Sequence, residues 1–503
     1  MMKNLKLFQF SVGGMIAIAS SGINQPLQAQ TKKKLNVLFI AVDDLKPITA
    51  AFGDKIIKTP GMDRLAKEGM VFMNTYCQQA VSGPTRASLL TGLMPDKTRV
   101  WDLVTDFRKV NPNILTMPEY FIKMGYETAA VGKIYHNGPG ATGPGHDAPS
   151  WSIPWRQSDA PTYATTKEKP ATECADVPDN FYTDGKRADV AIELMNTLKK
   201  GNKPIFLAVG FARPHLPFVA PKKYWDLYNR DEFKIAAYQK ASRNGPMIAY
   251  HKSGELTGQY TDIPKFDSYS ESELDHLPVE KQKELIHGYY AATSYMDAQL
   301  QRVLNELDRL GLRNNTIIVF WGDHGWHLGD HGLWCKHTNF EQATHTIMMM
   351  SVPGMKTGIK PATMSDFVDI FPALCELTNI PAPENLDGVS LVPAMKNPGF
   401  EVKKYASSQY PQGKVMGYTI RTNRYRYVEW IGEEFRTYMP YESAKLVARE
   451  LYDYQKDPLE TENVLDDPGY KKVREEMVLL FADYMKKQYA SSQVFSKTAK
   501  YTL

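Results

Sequence analysis

Cysteine is scarce in this chain. Its 503 residues include only Cys77, Cys174, Cys335 and Cys375, widely scattered and forming no CxxC pair. The spacing predicts no pairing, and a chain this long does not need disulfides to hold a core, so buried free thiols are expected. An excess of one charge is also missing: the formal net charge is +4, and +2 once the first 29 residues are set aside. Net charge therefore makes no case for nucleic acid or a membrane surface, although a local basic pocket stays open. Apolar runs of membrane-spanning length are absent, so no membrane insertion is expected. The opening stretch "MMKNLKLFQFSVGGMIAIASSGINQPLQAQ" has two lysines, a short apolar run interrupted by serine and glycine, then small residues ending near Ala29. That is the pattern of a secretory signal peptide, so residues 1–29 are expected to be removed and the mature chain exported.

What the sequence does contain is a set of short, strongly apolar runs that each end in polar residues. "LNVLFIAVDD" ends at Asp43-Asp44, and "YETAAVGKIYH" at Lys133 and His136. "KPIFLAVGFARPHLPF" delivers His215 beyond its end, and "NNTIIVFWGDHGWHLGDHG" closes on Asp323-His324. Near-continuous apolar runs suit strands covered on both faces. Helical patterns lie between them, in "TPGMDRLAKEGM", "TDGKRADVAIELMNTLKK" and "IHGYYAATSYMDAQLQRVLNELDRLG". The last carries Leu300, Val303, Leu304, Leu307 and Leu310 on one face and stops at Gly311. Strands alternating with helices predict an α/β fold, a large mostly parallel sheet with helices on both sides. Ligands bind beyond the carboxyl ends of such strands, where these acids, lysine and histidines fall.

Two Gly/Pro-rich stretches, "GPGATGPGHDAPSWSIPW" and "RNGPMIAYHKSGELTG", read as loops near that face. After about Val392 the character changes. "GYTIRTNRYRYVEW" alternates like an exposed antiparallel strand, "ELYDYQKDPLETENVLDDP" reads as strand and turn, and "KKVREEMVLLFADYMKK" as a helix. The expected organisation is a catalytic domain over residues 30–392 and a smaller α+β subdomain over 393–503.

Asp43, Asp44 and Asp323, converging from two strands, suit a hard divalent cation with oxygen ligands, calcium or magnesium. His324 fits such a site less comfortably and would also suit zinc. The Asp43-Asp44 pair taken alone reads more readily as solvated loop acids, and Asp323 on a different strand shifts the balance. The stretch "VSGPTRASLLTG" adds a serine, Ser82, held by Gly-Pro and followed by Arg86 at helical spacing.

Together these motifs resemble the sulfatase family. "SGPTRASLLTG" is similar to its signature, C/S-x-P-x-R followed by small residues and T-G, and "VDDL", "GK" and "DHG" follow in the family's order. The wording of "AVDDLKP", "GKIYH", "ARPHLPF", "GDHGWHLGDHGLWCKHTNF" and "SQYPQGKVMGYTIRTNRYRY" resembles the iduronate-2-sulfatase branch. The resemblance implies an alkaline-phosphatase-like fold and a formylglycine made from Ser82 by a formylglycine-generating enzyme. The hydrated aldehyde then attacks sulfur, and the sulfo-enzyme collapses to release sulfate. It places Asp43, Asp44, Asp323 and His324, with modified Ser82, on the metal, most simply calcium. It places Arg86 and Lys133 beside the reacting group, His136 where the diol is deprotonated, and His215 and Lys336 at the leaving oxygen. Trp326 either borders the sugar pocket or is a core tryptophan, and the resemblance implies a substrate that is a 2-O-sulfated uronic acid ending a glycosaminoglycan fragment. Lys336, His337 and the arginines Arg421, Arg424 and Arg426 are candidates for its carboxylate, though those arginines read equally as strand-surface charges. His327, His331 and His345 read as structural. A serine-type motif behind a bacterial-style signal points to the periplasm. Two other readings stay open: a phosphate-ester hydrolase on the same fold with unmodified Ser82 and zinc, and a non-catalytic binder of sulfated glycan.

Overall fold

The run Asn36–Val42 is buried at every position, which only a strand covered on both faces allows. The computed structural model describes residues 34–136, 146–158, 160–266, 276–432, 435–437 and 445–496, with side chains to residue 488. The signal-peptide reading at 1–29 and the whole of the "GPGATGPG" stretch lie outside the described residues. Six strands, β1 (Asn36–Val42), β2 (Met70–Val71), β3 (Glu127–Gly132), β4 (Ile205–Phe211), β5 (Thr316–Gly322) and β6 (Met348–Ser351), form one sheet in the order β2-β6-β5-β1-β4-β3. Strands β5, β1, β4 and β3 run parallel. β6 joins antiparallel to β5, and β2 antiparallel to β6.

The period of two divides β1 between two cores. Val37, Phe39 and Ala41 pack with Ala87, Leu89 and Leu90 of helix α1 (Ser82–Thr91). Leu38, Ile40 and Val42 pack with Ala188, Leu194 and Leu198 of α2 (Thr183–Leu198) and with Leu300, Val303, Leu304 and Leu307 of α3 (Val279–Arg309). Each such large aliphatic side chain stabilises the fold by roughly 1.5–3 kcal/mol relative to exposure. The chain is therefore pinned along the strands, and only the strand ends are left for polar groups.

A second, antiparallel sheet follows: β7 (Ala406–Gln412), β8 (Val415–Arg421), β9 (Tyr425–Ile431) and β10 (Leu446–Asp453), in that order. The stretch expected to be one exposed strand is instead a hairpin of β8 and β9, and mostly buried. One face packs Tyr418, Ile420 and Tyr427 against Phe481 and Tyr484 of α4 (Lys471–Ser496). The other packs Val428 and Trp430 against Phe340 and Tyr250. The alternation that looked like exposure comes from buried charges that have partners, such as Arg426 with Glu460 and Glu429 with Arg449. Strand β7 braces the segment before Ser82, where the Gln409 amide donates to Gln78 O at 2.8 Å and Ser408 Oγ donates to Cys77 O. All four thiols are free, but Cys174 is exposed rather than buried, because it sits at an outward position of the short strand Thr172–Ala175. Among the described residues no helix is long and apolar enough to cross a membrane.

Candidate active site

All four parallel strands deliver polar side chains at the same edge. β1 leads to Asp43 and Asp44, β3 to Lys133 and His136, β4 to Arg213 and His215, and β5 to Asp323 and His324. Helix α1 meets this edge with its N-terminus, and the local sequence explains why it starts at Ser82. Val81 is extended and its carbonyl accepts from Thr85 N at 3.1 Å, opening the helix. A Cβ on Gly83 would lie 2.5 Å from Asp102 O, so no side chain fits there. Pro84 falls in the first turn, where its missing N–H costs nothing. Arg86 is four residues after Ser82 and shares its face. Gly92 ends the helix at φ 69°, a left-handed cap.

Ser82 Oγ lies 2.9 Å from Asp43 Oδ1, 2.7 Å from Asp323 Oδ2 and 3.4 Å from His324 Nε2. Arg86 is fully buried and spends its guanidinium on four acceptors: Asp43 Oδ1 and Asp323 Oδ2, both at 3.1 Å, and the carbonyls of Lys133 and Ile134 at 2.6 and 3.0 Å. Its role is therefore to hold the acids and the β3 end in register. Lys133 Nζ donates to Asp43 Oδ2 and remains 18% exposed. Asp44 sits at φ 57°, held there by its amide donating to Asp323 Oδ1 at 2.9 Å and its carbonyl accepting from Tyr289 Oη at 2.6 Å. Left-handed backbone at a non-glycine costs roughly 1–2 kcal/mol, which these two bonds offset.

The electrostatics ask for a cation. His324 Nδ1 faces Gly325 O at 3.0 Å, so Nδ1–H donates there and Nε2 presents a lone pair. That Nε2 lies 3.3 Å from Asp44 Oδ1 and 3.6 Å from Asp323 Oδ1. One hydroxyl proton, on Ser82, cannot satisfy this many acceptors. Burial, with Asp43, Glu255 and Asp323 nearby, pushes the Asp44 carboxyl well above the usual range despite Lys336. Burial would raise Asp43 as well, but Lys133 and Arg86 outweigh it and hold that carboxyl well below the usual range. Ligand atoms from Asp44, Asp323 and His324 all lie within 4.8 Å of one another. A divalent ion with oxygen ligands at roughly 2.3–2.6 Å fits this donor set.

Beside the acids stands a second cluster. Lys336 Nζ meets Asp44 Oδ1 at 3.2 Å and Glu255 Oε1 and Oε2 at 2.9 and 2.7 Å. Burial opposes its charge, but Asp44 and Glu255 prevail and hold the ammonium well above its usual range. His215 donates from Nδ1 to Leu216 O at 2.6 Å and turns Nε2 toward Glu255 at 3.3 Å and Asp44 at 3.8 Å. Burial lowers His215 to about 3. His136 is lowered to about 4, first by burial and then by Lys133. Both imidazoles are neutral near pH 7.

The structure thus brings together Asp43, Asp44, Ser82, Arg86, Lys133, Asp323, His324, His215 and Lys336, with His136 at the rim beside Lys133. Trp326 takes the core reading of its two. It has no exposed surface, packs near Phe218 and Tyr289, and lies 4.9 Å beneath Lys336 Nζ, so it supports the lysine rather than bordering a pocket. Arg421 also stands apart, bonded to Glu341 at 3.0 Å and stacked 3.8 Å over Tyr454. Arg424 and Arg426 have Asp453 and Glu460. Arg424 thus binds within its own sheet, while Arg421 and Arg426 tie that sheet to segments outside it. His327, His331 and His345 hydrogen-bond to Thr338, Lys240 O and Met73 O, consistent with structural roles. Glu255 went unnoticed in the sequence. Its loop was marked by glycine and proline, but nothing in its spacing singles out that carboxylate.

Residues 35–380 match the family described as Sulfatase, and residues 329–487 match the family described as N-sulphoglucosamine sulphohydrolase, C-terminal. The iduronate 2-sulfatase of Homo sapiens is 32% identical over 87% of this chain and 92% of its own length. Among solved structures, one in complex with D-glucosamine-2-N,6-O-disulfate superposes with a TM-score of 0.73 at 21% identity, covering 91% of this chain and 98% of that one. A structure described as a 2-O GAG sulfatase superposes with a TM-score of 0.65 at 23% identity, covering 91% and 93%.

Proposed function

As this chain belongs to the sulfatase family and is a sulfuric ester hydrolase, we propose that it acts on glycosaminoglycan saccharides, removing the 2-O-sulfate of a terminal uronic acid after Ser82 is oxidised to formylglycine. Support for the position of attack comes from the 32% identity to iduronate 2-sulfatase over nearly the whole chain. The carrying observation is the placement of Ser82 Oγ within 3.4 Å of Asp43, Asp323 and His324, with Lys133 on Asp43.

Charge counting favours a sulfate over a phosphate monoester. With Asp44 ionised, as a bound divalent ion would keep it, the carboxylates of Asp43, Asp44, Asp323 and Glu255 face the cations Arg86, Lys133 and Lys336, leaving one negative charge before the ion is counted. A divalent ion, which we take as calcium held by Asp43, Asp44, Asp323, His324 and residue 82, turns this to one positive charge. That matches the single charge of a sulfate monoester, whereas a phosphate monoester dianion calls for one cation more. When bound, the ion supplies positive charge against the sulfuryl oxygens. A maturation enzyme with its own electron acceptor removes two hydrogens from the Ser82 hydroxymethyl group, and the resulting aldehyde, hydrated, supplies the nucleophile.

The remaining work falls to side chains of this chain. Neutral His136 accepts the proton released from the hydrated residue. Lys133, partly exposed, donates to a sulfuryl oxygen while anchored on Asp43. His215, neutral with Nδ1–H committed to Leu216, has no proton to spare on Nε2. Lys336 is therefore the group that presents positive charge and N–H donors to the departing oxygen. We further read residues 1–29 as an export signal and the periplasm as the site of action.

Mass spectrometry of the Ser82 peptide, after expression with a maturation enzyme, should find it two hydrogens lighter. A panel of defined sulfated disaccharides should then show sulfate release fastest from a non-reducing 2-O-sulfated uronate. Faster turnover of phosphate esters, or a Ser82→Ala variant as active as the parent, overturns the reading.

A further inference from the structure

Next to Lys133 and His136 lies a cavity of about 390 Å³ whose wall includes Gly132, His146, Trp155 and Arg187. None of its described lining residues is acidic. Arg187 rises from the second turn of α2, whose first residue, Thr183, also lines the space. One guanidinium nitrogen, Nη1, reaches Asp184 Oδ1 at 3.2 Å, while the buried Nε has no hydrogen-bond partner. Asp184 has little more to give, because its oxygens already accept the amides of Ala212 and Arg213, both at 2.8 Å. A buried guanidinium N–H without an acceptor is costly unless a ligand supplies one. Trp155 closes one wall; its indole N–H donates to Gly132 O at 2.9 Å and its ring stacks on His146 at 4.3 Å. Gly132 completes the cradle, since a Cβ there would come within 2.8 Å of the Arg187 side chain.

Resting on the sulfatase reading, we propose that this cavity is a second anion subsite, in which Arg187 and Lys133 hold a carboxylate or a further sulfate of the same saccharide whose sulfate ester lies at Ser82. Lys133 sits between the two positions, on Asp43 at one side and on the cavity at the other. Arg187 is then a specificity-determining residue that selects for saccharides carrying a second anion.

The test compares the matured full chain with Arg187→Gln and Arg187→Lys on an aryl sulfate and on a 2-O-sulfated uronate disaccharide bearing an N-sulfated hexosamine. Three further forms are used, one with the carboxyl reduced to an alcohol, one lacking the hexosamine sulfate and one with both changes. The ratio of kcat/KM on the disaccharide to kcat/KM on the aryl sulfate should fall about 10- to 100-fold in Arg187→Gln, the usual worth of a charge-assisted hydrogen bond. Arg187→Lys should recover part of that loss. Loss of the Arg187 dependence on the carboxyl-reduced form assigns the uronate; its loss on the other form assigns the second sulfate. An unchanged ratio, or a dependence that persists when both groups are removed, overturns the proposal. Should no sulfate ester be hydrolysed, the sulfatase reading fails separately. Calorimetry of the disaccharide on Ser82→Ala, with and without Arg187→Gln, then still reads the subsite, and equal affinities overturn it.

Discussion

Replacing Glu255 by glutamine keeps the side chain's shape and removes one negative charge from beside Lys336. The wild-type carboxylate accepts from Lys336 Nζ at 2.9 and 2.7 Å and lies 3.3 Å from His215 Nε2. Glutamine can still accept one bond from Lys336, so the ammonium stays near Asp44 but loses its second anchor. A hydrogen bond between charged groups contributes about 1.5–3 kcal/mol net, and if Lys336 meets the departing oxygen that anchoring is expressed in the transition state. The expected fall in kcat is therefore roughly 10- to 150-fold, one factor of ten for each 1.36 kcal/mol. KM should fall as well, because removing an acid makes the site more positive and favours an anionic substrate. The alkaline limb of the rate profile should shift down, since Glu255 is one of the two groups holding Lys336 charged. Steady-state kinetics across pH on a 2-O-sulfated uronate disaccharide, with melting temperature as the folding control, measures all three. A kcat within twofold of the parent, or a rise in KM alone, refutes the assignment, because the latter marks loss of uniform binding only.

The same geometry makes further predictions. Gly83→Ala forces a Cβ to within 2.5 Å of Asp102 O, so the start of α1 must shift; sulfate release should drop at least about tenfold, with a lower melting temperature. Calcium should stabilise the fold by about 2.7 kcal/mol at a hundredfold excess over Kd, read as a raised melting temperature that a chelator reverses, because a bound ion would relieve the packed lone pairs around Asp44. His136, His146 and His251 are held at about 4, 3 and 4, chiefly by burial, below an unfolded value near 6.5. The unfolded chain thus takes up protons the folded one refuses, so stability is full above pH 6.5 and lost as pH falls toward 4. The loss is on the order of 3 kcal/mol per such histidine, read as melting temperature against pH. Leu304→Ala, in the core between α3 and β1, should cost about 2–5 kcal/mol in chemical denaturation while the active-site contacts stay in place.

The strands of the central sheet and the residues at their ends were legible because that information is local. A run such as "NVLFIAV" is buried on both faces or it is not a stable strand, and whatever follows it is carried to the sheet edge. Ser82 and Arg86 were legible together because four residues return to one helix face. The "GYTIRTNRYRYVEW" stretch misled for a related reason: alternation signals a strand, but whether its polar side faces water depends on what packs there.

The sequence by itself therefore determined the α/β order, the acids and basic residues at the strand ends, and the helix that carries Ser82. Only the tertiary structure decided which long charged side chains act at the site. Glu255 reaches Lys336 across 81 residues, and Arg421 is drawn to Glu341 across 80, away from Ser82. Nothing in local periodicity encodes such pairings. They are chosen by burial, where a charge without a partner is costly, and that choice exists only once the chain has brought distant segments together.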